Sequence, residues 1–413
     1  MHVLITAVGE RTEHWVDLFR MLAKRPDVRL TVLAANVSRL TVEEMDRLDR
    51  GHPRISFHLA NSALSKGSTG RMASVVFGRG TGRALADVHP DVVHIIGEAG
   101  YLSTSQVLRM RRHRWPDVPV TLYAAQNVVT RFPFSFPQLE RRAYRAVDCA
   151  LPTTPAAEQV LRAKGYRGAS RIVPLGVDTS LFHPGPSSPP TPGAPFTVGF
   201  VGRLEPHKGI TDLLTAVRHL NCDLLLVGTG PLSGEVVRES QRRRDRIELH
   251  PWVSHHALPA LLTRMDVLAL PSLEVFQRNV APWITIPLRE QFSRVLVEAM
   301  ACGVPVVGSD AGEIPHAIGT AGLIHPAGDV DALVTRLRQV RDDQDLAERL
   351  RVAGMERARR FDWSRVADSL YELWQALVDT GRRPVDTADR GAPAPGTAGR
   401  PTVVDPEEEG LPK

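Results

Sequence analysis

Two glutamates eight positions apart, Glu290 and Glu298 in "EQFSRVLVEAMACGVPVVGSD" (290–310), are the side chains of this sequence best placed to do chemistry together. On one continuous helix their α-carbons would stand roughly 12 Å apart along the axis, at about 1.5 Å per residue, too far for one small group to engage both. One of them must therefore precede the helix. "EQFSR" reads as a loop, with Ser293 as the cap of "RVLVEAMACG" and Gly303 just beyond the helix end. Glu290 then lies in the loop and Glu298 about one turn into the helix, with the amides of Arg294, Val295 and Leu296 pointing outward between them. Unpaired N–H groups and the helix dipole favour an anion at such a terminus. The arrangement suits a phosphate flanked by two hydroxyl-binding carboxylates, which is the chemistry of a sugar nucleotide.

Complementary charge comes from "VGRLEPHKG" (201–209), where an apolar strand ends in a turn at Gly202 and presents Arg203 and Lys208 before Gly209 opens a helix. Two cations at a strand end can clamp a diphosphate and stabilise its departure. A GR…KG stretch by itself is more often a solvated turn, so its meaning rests on the two acids.

The elements that must position these groups follow an alternating pattern. The clearest strands of the first half are "HVLITAV" (2–8), "VRLTVLA" (28–34), "DVVHII" (91–96) and "PVTLYAA" (119–125), with "DCALPT" (148–153) and "RIVPLGVD" (171–178) after them. Helical stretches separate them, which predicts a parallel sheet covered by helices. The prolines of "HPGPSSPPTPGAP" (183–195) remove backbone donors and fix φ, so it reads as an extended linker. The pattern then restarts with "FTVGFVGRL" (196–204), "CDLLLVGTG" (222–230), "RIELHPWV" (246–253), "DVLALPS" (266–272), "GVPVVGSD" (303–310) and "AGLIHP" (321–326). Residues 331–359 are helical, Asp329 is a ready N-cap, and "FDWSRVADSLYELWQAL" (361–377) carries the apolar stripe Trp363, Val366, Leu370, Leu373, Trp374 and Leu377. The expected organisation is an N-terminal domain over 1–182, the linker 183–195, a second domain over 196–360, a C-terminal helix over 361–380 packing back across the domains, and a disordered tail over 381–413.

Composition sets bounds on this reading. A chain of 413 residues is too long for one ordinary core. No apolar run approaches the ~20 residues needed to cross a bilayer, and "MHVLITAVGE" begins at once with a strand and lacks signal-peptide features, so the expected location is cytoplasmic. Cys149, Cys222 and Cys302 are too scattered for a disulfide framework or a zinc site, and they read as buried small residues. The net charge of +5 is compatible with anionic partners. Cations concentrate in "RMRRHRW" (109–115) and "QLERRAYRA" (138–146), either as a solvated helix face or as a peripheral contact with anionic lipid. Aromatic residues do not interleave with them, so nucleic acid is not an expected partner.

Together "GRLEPHKG", "EQFSRVLVEAMACGVPVVGSDAGEIP" and "GLIHPAGD" resemble the retaining family 4 glycosyltransferases of the GT-B fold, and the resemblance extends more loosely over about residues 1–378. It implies an α/β chain of two Rossmann-like domains with parallel sheets facing a central cleft. It also implies a metal-independent hexosyltransferase that moves a hexose from a UDP- or GDP-sugar to an acceptor hydroxyl of a glycan, lipid or specialised metabolite, with retention and without a cofactor. By resemblance Glu290 contacts the donor sugar, Glu298 binds the ribose, Arg203 and Lys208 hold the diphosphate, and the amides of Ser293 to Leu296 bind phosphate or sugar oxygens. Gly202 belongs to the same donor loop, and Val253, next to Trp252, is expected near the base. The N-terminal domain would bind acceptor, with His94 of "DVVHIIGEAG" approaching the donor sugar.

Around that acceptor side stand Gly9 in "AVGERTEHW", Glu98 as either a base or a helix-cap acid, and Gln126 and Asn127 of "AAQNVVTRF", whose amides suit hydroxyls or simply a turn. The sequence departs from the family at Ser293, where glycine is usual, at Gly9, which stands without a second glycine, and at "EVFQRNVAPWITIP" (274–287), which is longer than usual. Two other classes remain open. "GTGPLSG" (228–234), with Gly228 and Gly230, invites an NAD(P)-dependent oxidoreductase, although Pro231 interrupts it, and the donor pattern alone also fits a non-catalytic sugar-nucleotide-binding protein.

Overall fold

The structure is a computed structural model that describes residues 1–62, 74–130, 135–185, 195–243, 246–279 and 284–381. Most of the proline-rich segment (186–194) and the tail from residue 382 lie outside the described residues, so the expectations of a linker and a disordered tail are not addressed by it. The chain divides into two compact units, one comprising Met1–Val173 and the chain from Ser369 on, the other Pro174–Asp368.

The first unit carries β1 (His2–Val8), β2 (Arg29–Ala35), β3 (Ile55–Ala60), β4 (Val92–Ile96), β5 (Val120–Ala124), β6 (Cys149–Pro152) and the short β7 (Ala169–Ser170). They form one sheet in the order β3-β2-β1-β4-β5-β6-β7, parallel throughout. In register Ile5 pairs with both Val32 and His94, and His94 with Thr121. The inner strands are apolar runs because helices cover both faces, and β4 is buried along its whole length.

The second unit carries β8 (Thr197–Val201), β9 (Asp223–Val227), β10 (Ile247–His250), β11 (Val267–Leu270), β14 (Val306–Ser309) and β15 (Leu323–His325), again parallel, in the order β10-β9-β8-β11-β14-β15. Between β11 and β14 stands an antiparallel hairpin of β12 (Val275–Asn279) and β13 (Ile284–Leu288), which accounts for the extra length noted at 274–287.

"RIVPLGVD" is a correction. No strand forms over 171–178; instead the Arg171 and Val173 amides each donate one bond to β6, and Val177 bridges Asp362. Val177 and Phe182 belong to the core of the second unit, so the division between units falls ahead of the proline-rich segment.

The helix Trp363–Thr380 begins in the second unit and continues into the first. All six residues of its predicted stripe are buried. Trp363 packs where a side chain at Gly176 would collide with it, and Trp374 is fully buried in the first unit, donating from Nε1 to Thr121 Oγ1 at 3.3 Å and lying 5.5 Å from the His94 ring. Trp374→Ala should therefore cost about 3–5 kcal/mol of stability. Urea unfolding of the variant checks this, and an unchanged midpoint would contradict the packing.

Candidate active site

In each sheet the strand order reverses at one point, between β1 and β4 in the first and between β8 and β11 in the second, and ligands of doubly wound sheets bind beyond the carboxyl ends of strands at such points. The loop leaving β8 runs through Gly202 and Arg203 into the 3-10 turn Pro206–Lys208, and Gly209 caps the helix Ile210–Leu220. Gly209 has φ +69°, and a Cβ there would stand 1.9 Å from the carbonyl oxygen of Pro271, just past β11. Only glycine lets the two loops approach so closely. The Leu273 amide also donates to the His207 carbonyl at 2.7 Å, so the loops after β8 and β11 are tied backbone to backbone.

This places Lys208 on Glu290. The Lys208 Nζ lies 2.5 Å from Glu290 Oε2, and their side chains are 17% and 12% exposed. Ser272, fully buried, donates its hydroxyl to the same oxygen at 3.3 Å and is itself held by Ser309, whose hydroxyl donates to the Ser272 carbonyl at 2.6 Å. Ser272 was not singled out from sequence, where it is only the last residue of "DVLALPS". Arg203 is placed differently: its Nε pairs with Glu205 at 3.1 Å, and it is largely exposed.

The helix expected after Ser293 runs over Arg294–Ala301, with Gly303 at φ +74° beyond its end. Two details are corrected. Ser293 occupies the cap position but its side chain makes no capping bond, and the Leu296 amide is already spent on the Ser293 carbonyl at 3.2 Å, so it does not point outward as a donor. Glu298 is buried in this helix. Its Oε1 accepts from Arg294 Nη2 at 2.9 Å and lies 3.1 Å from His255 Nε2. His255 comes from the segment after β10, packs on Phe182 at 4.8 Å, and was missed from sequence. In the same segment Val253 is half-buried against the core and Trp252 is exposed.

In the first unit Gly9 follows β1, Glu98 follows β4, and Gln126 and Asn127 follow β5, so three adjacent strands bring these residues to one edge. Glu98 Oε1 accepts from the Ala125 amide at 2.9 Å, and Gln126 Oε1 accepts from Lys164 Nζ at 2.8 Å. Lys164, also missed from sequence, pairs with Glu140 at 2.7 Å with both side chains nearly buried. The helix Leu102–Arg114 that follows has Tyr101 at its cap position, with no side-chain capping bond from that residue.

His94 is the main correction. It is the middle residue of β4, buried, and its Nδ1 is 2.9 Å from Thr121 Oγ1. Burial pushes its pKa down to about 3, so the ring is a neutral core group and does not lie at a strand end. "GTGPLSG" also has a packing explanation. A Cβ on Gly228 would stand 1.9 Å from the Gly202 carbonyl oxygen, and one on Gly230 would stand 2.5 Å from that of Leu204. These glycines let the loop after β9 brace the Arg203–Lys208 loop, which accounts for them without a dinucleotide.

Burial alone would raise the Glu298 pKa, but the Arg294 charge and the His255 contact reverse this and hold it down at about 2, against an ordinary value of 4.5. A carboxyl depressed in the folded state contributes stability above its unfolded pKa and loses it as pH falls through the folded one. Stability of the wild type should therefore fall more steeply between pH 4.5 and 2 than that of Glu298→Gln, a difference in slope readable from urea midpoints.

The model of the glycosyl transferases group 1 family matches residues 186–357. Among curated relatives, a D-inositol 3-phosphate glycosyltransferase of Corynebacterium jeikeium is 30% identical over 301 residues, covering 65% of this chain and 68% of that protein. A phosphatidyl-myo-inositol mannosyltransferase of Mycobacterium leprae is 30% identical over 219 residues, covering 51% of this chain, and the chain spans only about half of its length (54%). A solved sucrose-phosphate synthase from Thermosynechococcus elongatus superposes with a TM-score of 0.69 at 18% identity, covering 92% of this chain and 100% of that one. With its two parallel doubly wound sheets and this match across both, the chain belongs to the glycosyl transferases group 1 family and has the GT-B fold.

Proposed function

We propose that this protein is a retaining hexosyltransferase that takes its sugar from a UDP- or GDP-sugar and passes it to an acceptor hydroxyl. The observation that carries the reading is the meeting of Lys208 and Glu290, 82 residues apart in sequence, at the carboxyl edge of the second sheet. A nearly buried cation beside a nearly buried carboxylate suits a donor whose diphosphate and sugar hydroxyls need opposite charges side by side. On this reading Lys208 moves from Glu290 to the diphosphate, and Glu290, still held by Ser272, accepts from a sugar hydroxyl. Arg203 exchanges Glu205 for the diphosphate, and Glu298 takes the ribose. The acceptor hydroxyl attacks the anomeric carbon on the leaving-group face, and its proton passes to the departing phosphate oxygen. Lys208 and Arg203 stabilise that oxygen's charge, so the step calls for no metal.

Gly9, Glu98, Gln126 and Asn127 are proposed to bind the acceptor. Inositol phosphates and phosphatidylinositol are the first acceptors to try, since inositol stands in the names of both curated relatives. A peripheral membrane contact belongs to the same proposal. On the helix Phe136–Ala146 the only acid, Glu140, is turned to Lys164, and Arg141, Arg142 and Arg145 are exposed and make no ion pair among the described residues, around an open surface hollow of about 370 Å³. Headgroups of anionic lipid would supply the missing charge.

Slow donor hydrolysis in a panel of UDP-, GDP- and dTDP-sugars, in the presence of EDTA, tests the reaction without an acceptor. One nucleotide series should turn over, and Lys208→Ala should lower kcat on the order of 10²-fold while thermal unfolding stays cooperative. A folded Lys208→Ala with normal turnover would count against the assignment, and donor binding without turnover for any acceptor would favour the non-catalytic reading. For the membrane contact, vesicles of phosphatidylcholine with phosphatidylserine should sediment the wild type at low salt, and Arg141, Arg142 and Arg145 changed together to Gln should release it. Equal sedimentation of the two proteins would dismiss these arginines.

A further inference from the structure

The Arg294 side chain has no part in the proposed reaction, yet it is 14% exposed and sits on a carboxylate that is 6% exposed. Both groups that reach Glu298 take the same oxygen: Arg294 Nη2 at 2.9 Å and His255 Nε2 at 3.1 Å are on Oε1. The Arg294 Nη2 is also 3.0 Å from His255 Nε2, so the three groups form a closed triangle. A neutral Nε2 accepts from Arg294, and an Nε2–H donates to Glu298; in either state the guanidinium keeps its bond to Oε1. The His255 ring is steadied from behind by Phe182 at 4.8 Å. Among the described residues no hydrogen bond is made to Oε2.

A buried carboxylate must be compensated, and an i to i+4 ion pair is the bland way to do it. That account leaves the geometry unexplained. A guanidinium can grip both oxygens of a carboxylate in a fork, and in the fork both acceptors would be consumed. Here the bond is one-sided and a second group from a distant loop doubles it on the same atom. A carboxylate held this way has lost most of its torsional freedom before any ligand arrives, which removes an ordering cost from binding.

Resting on the reading of Glu298 as the ribose carboxylate, we infer that Arg294, with His255, is a positioning residue that clamps Glu298 by Oε1 and presents Oε2 as a single oriented acceptor for a ribose hydroxyl of the donor nucleotide. Arg294 itself need not touch the nucleotide. It decides how sharply the site distinguishes a ribose from a sugar that lacks the hydroxyl, because an unclamped carboxylate can swing to another donor or to water.

Calorimetric titration of the full chain with UDP and GDP, followed by the 2′-deoxy and 3′-deoxy forms of the tighter binder, tests this with Arg294→Met, Arg294→Lys and Glu298→Gln. Wild type should favour the ribonucleotide over at least one deoxy form by about tenfold or more, the scale of one hydrogen bond to a charged group. Arg294→Met should bind the ribonucleotide about tenfold more weakly and lose most of that preference. Arg294→Lys should restore part of both, and donor hydrolysis should show the loss in KM more than in kcat. A folded Arg294→Met that keeps affinity and preference, while Glu298→Gln loses both, overturns the inference. If Glu298→Gln also keeps both, or neither nucleotide binds, the ribose reading of Glu298 falls instead. Should Arg294→Met fail to fold, His255→Gln leaves the ion pair in place and must still weaken the preference for the inference to stand.

Discussion

A strand in a parallel sheet cannot turn back on itself, and each must be followed by a crossover that returns the chain to the same end. Everything proposed for this protein depends on that constraint. It gathers every loop that leaves a strand onto one edge of its sheet, and the reversal of strand order at β8 and β11 leaves two of those loops side by side. Gly209 lets them touch through backbone, and Lys208 from one loop and Ser272 from the other meet on the same oxygen of Glu290, from the segment before the next helix. The first sheet repeats the arrangement at β1, β4 and β5, where Gly9, Glu98, Gln126 and Asn127 share an edge.

Charges obey a second rule on top of this geometry. A buried ion is tolerated only with a partner, and the nearly buried charges described here meet it: Lys208 with Glu290, Glu298 with Arg294, Lys164 with Glu140. These pairs lie in loops after strands or in the helices that follow them. Inside the sheet the only resort is neutrality, which is what burial imposes on His94. A histidine in a strand core and a carboxylate at a strand edge thus meet the same desolvation penalty in opposite ways, one by giving up its proton and the other by recruiting a cation.

The hairpin β12–β13 and the Arg294 side chain each bear on one of the two acids of the site. The hairpin closes at its base through Arg289 and Glu274, whose Nε and Oε1 are 3.0 Å apart, and the next residue is Glu290. A loop that arrives already paired restricts where that carboxylate can be placed. Arg294 does the corresponding work at the other acid from within the helix.

The sequence alone determined the strands that carry the site, because runs such as "HVLITAV" and "CDLLLVGTG" must be buried on both faces and few other structures accept so many β-branched and leucine residues in succession. It also determined the loop-then-helix break between Glu290 and Glu298, the cap at Asp329, whose side chain accepts from the Ala332 amide at 2.8 Å, and the apolar stripe of the last helix. It could not show that 171–178 would stay out of the sheet, nor pick out Ile55–Ala60 as a strand, since edge positions carry a weaker pattern. The decisive contacts were settled only in three dimensions. Whether His94 faced ligand or core depended on Trp374, far along the chain, and Ser272, His255 and Lys164 acquired meaning only from neighbours 18, 43 and 24 positions away. Periodicity reports how each residue meets its local surroundings, whereas partners at such separations are chosen by strand order and loop packing, which no short window of sequence contains.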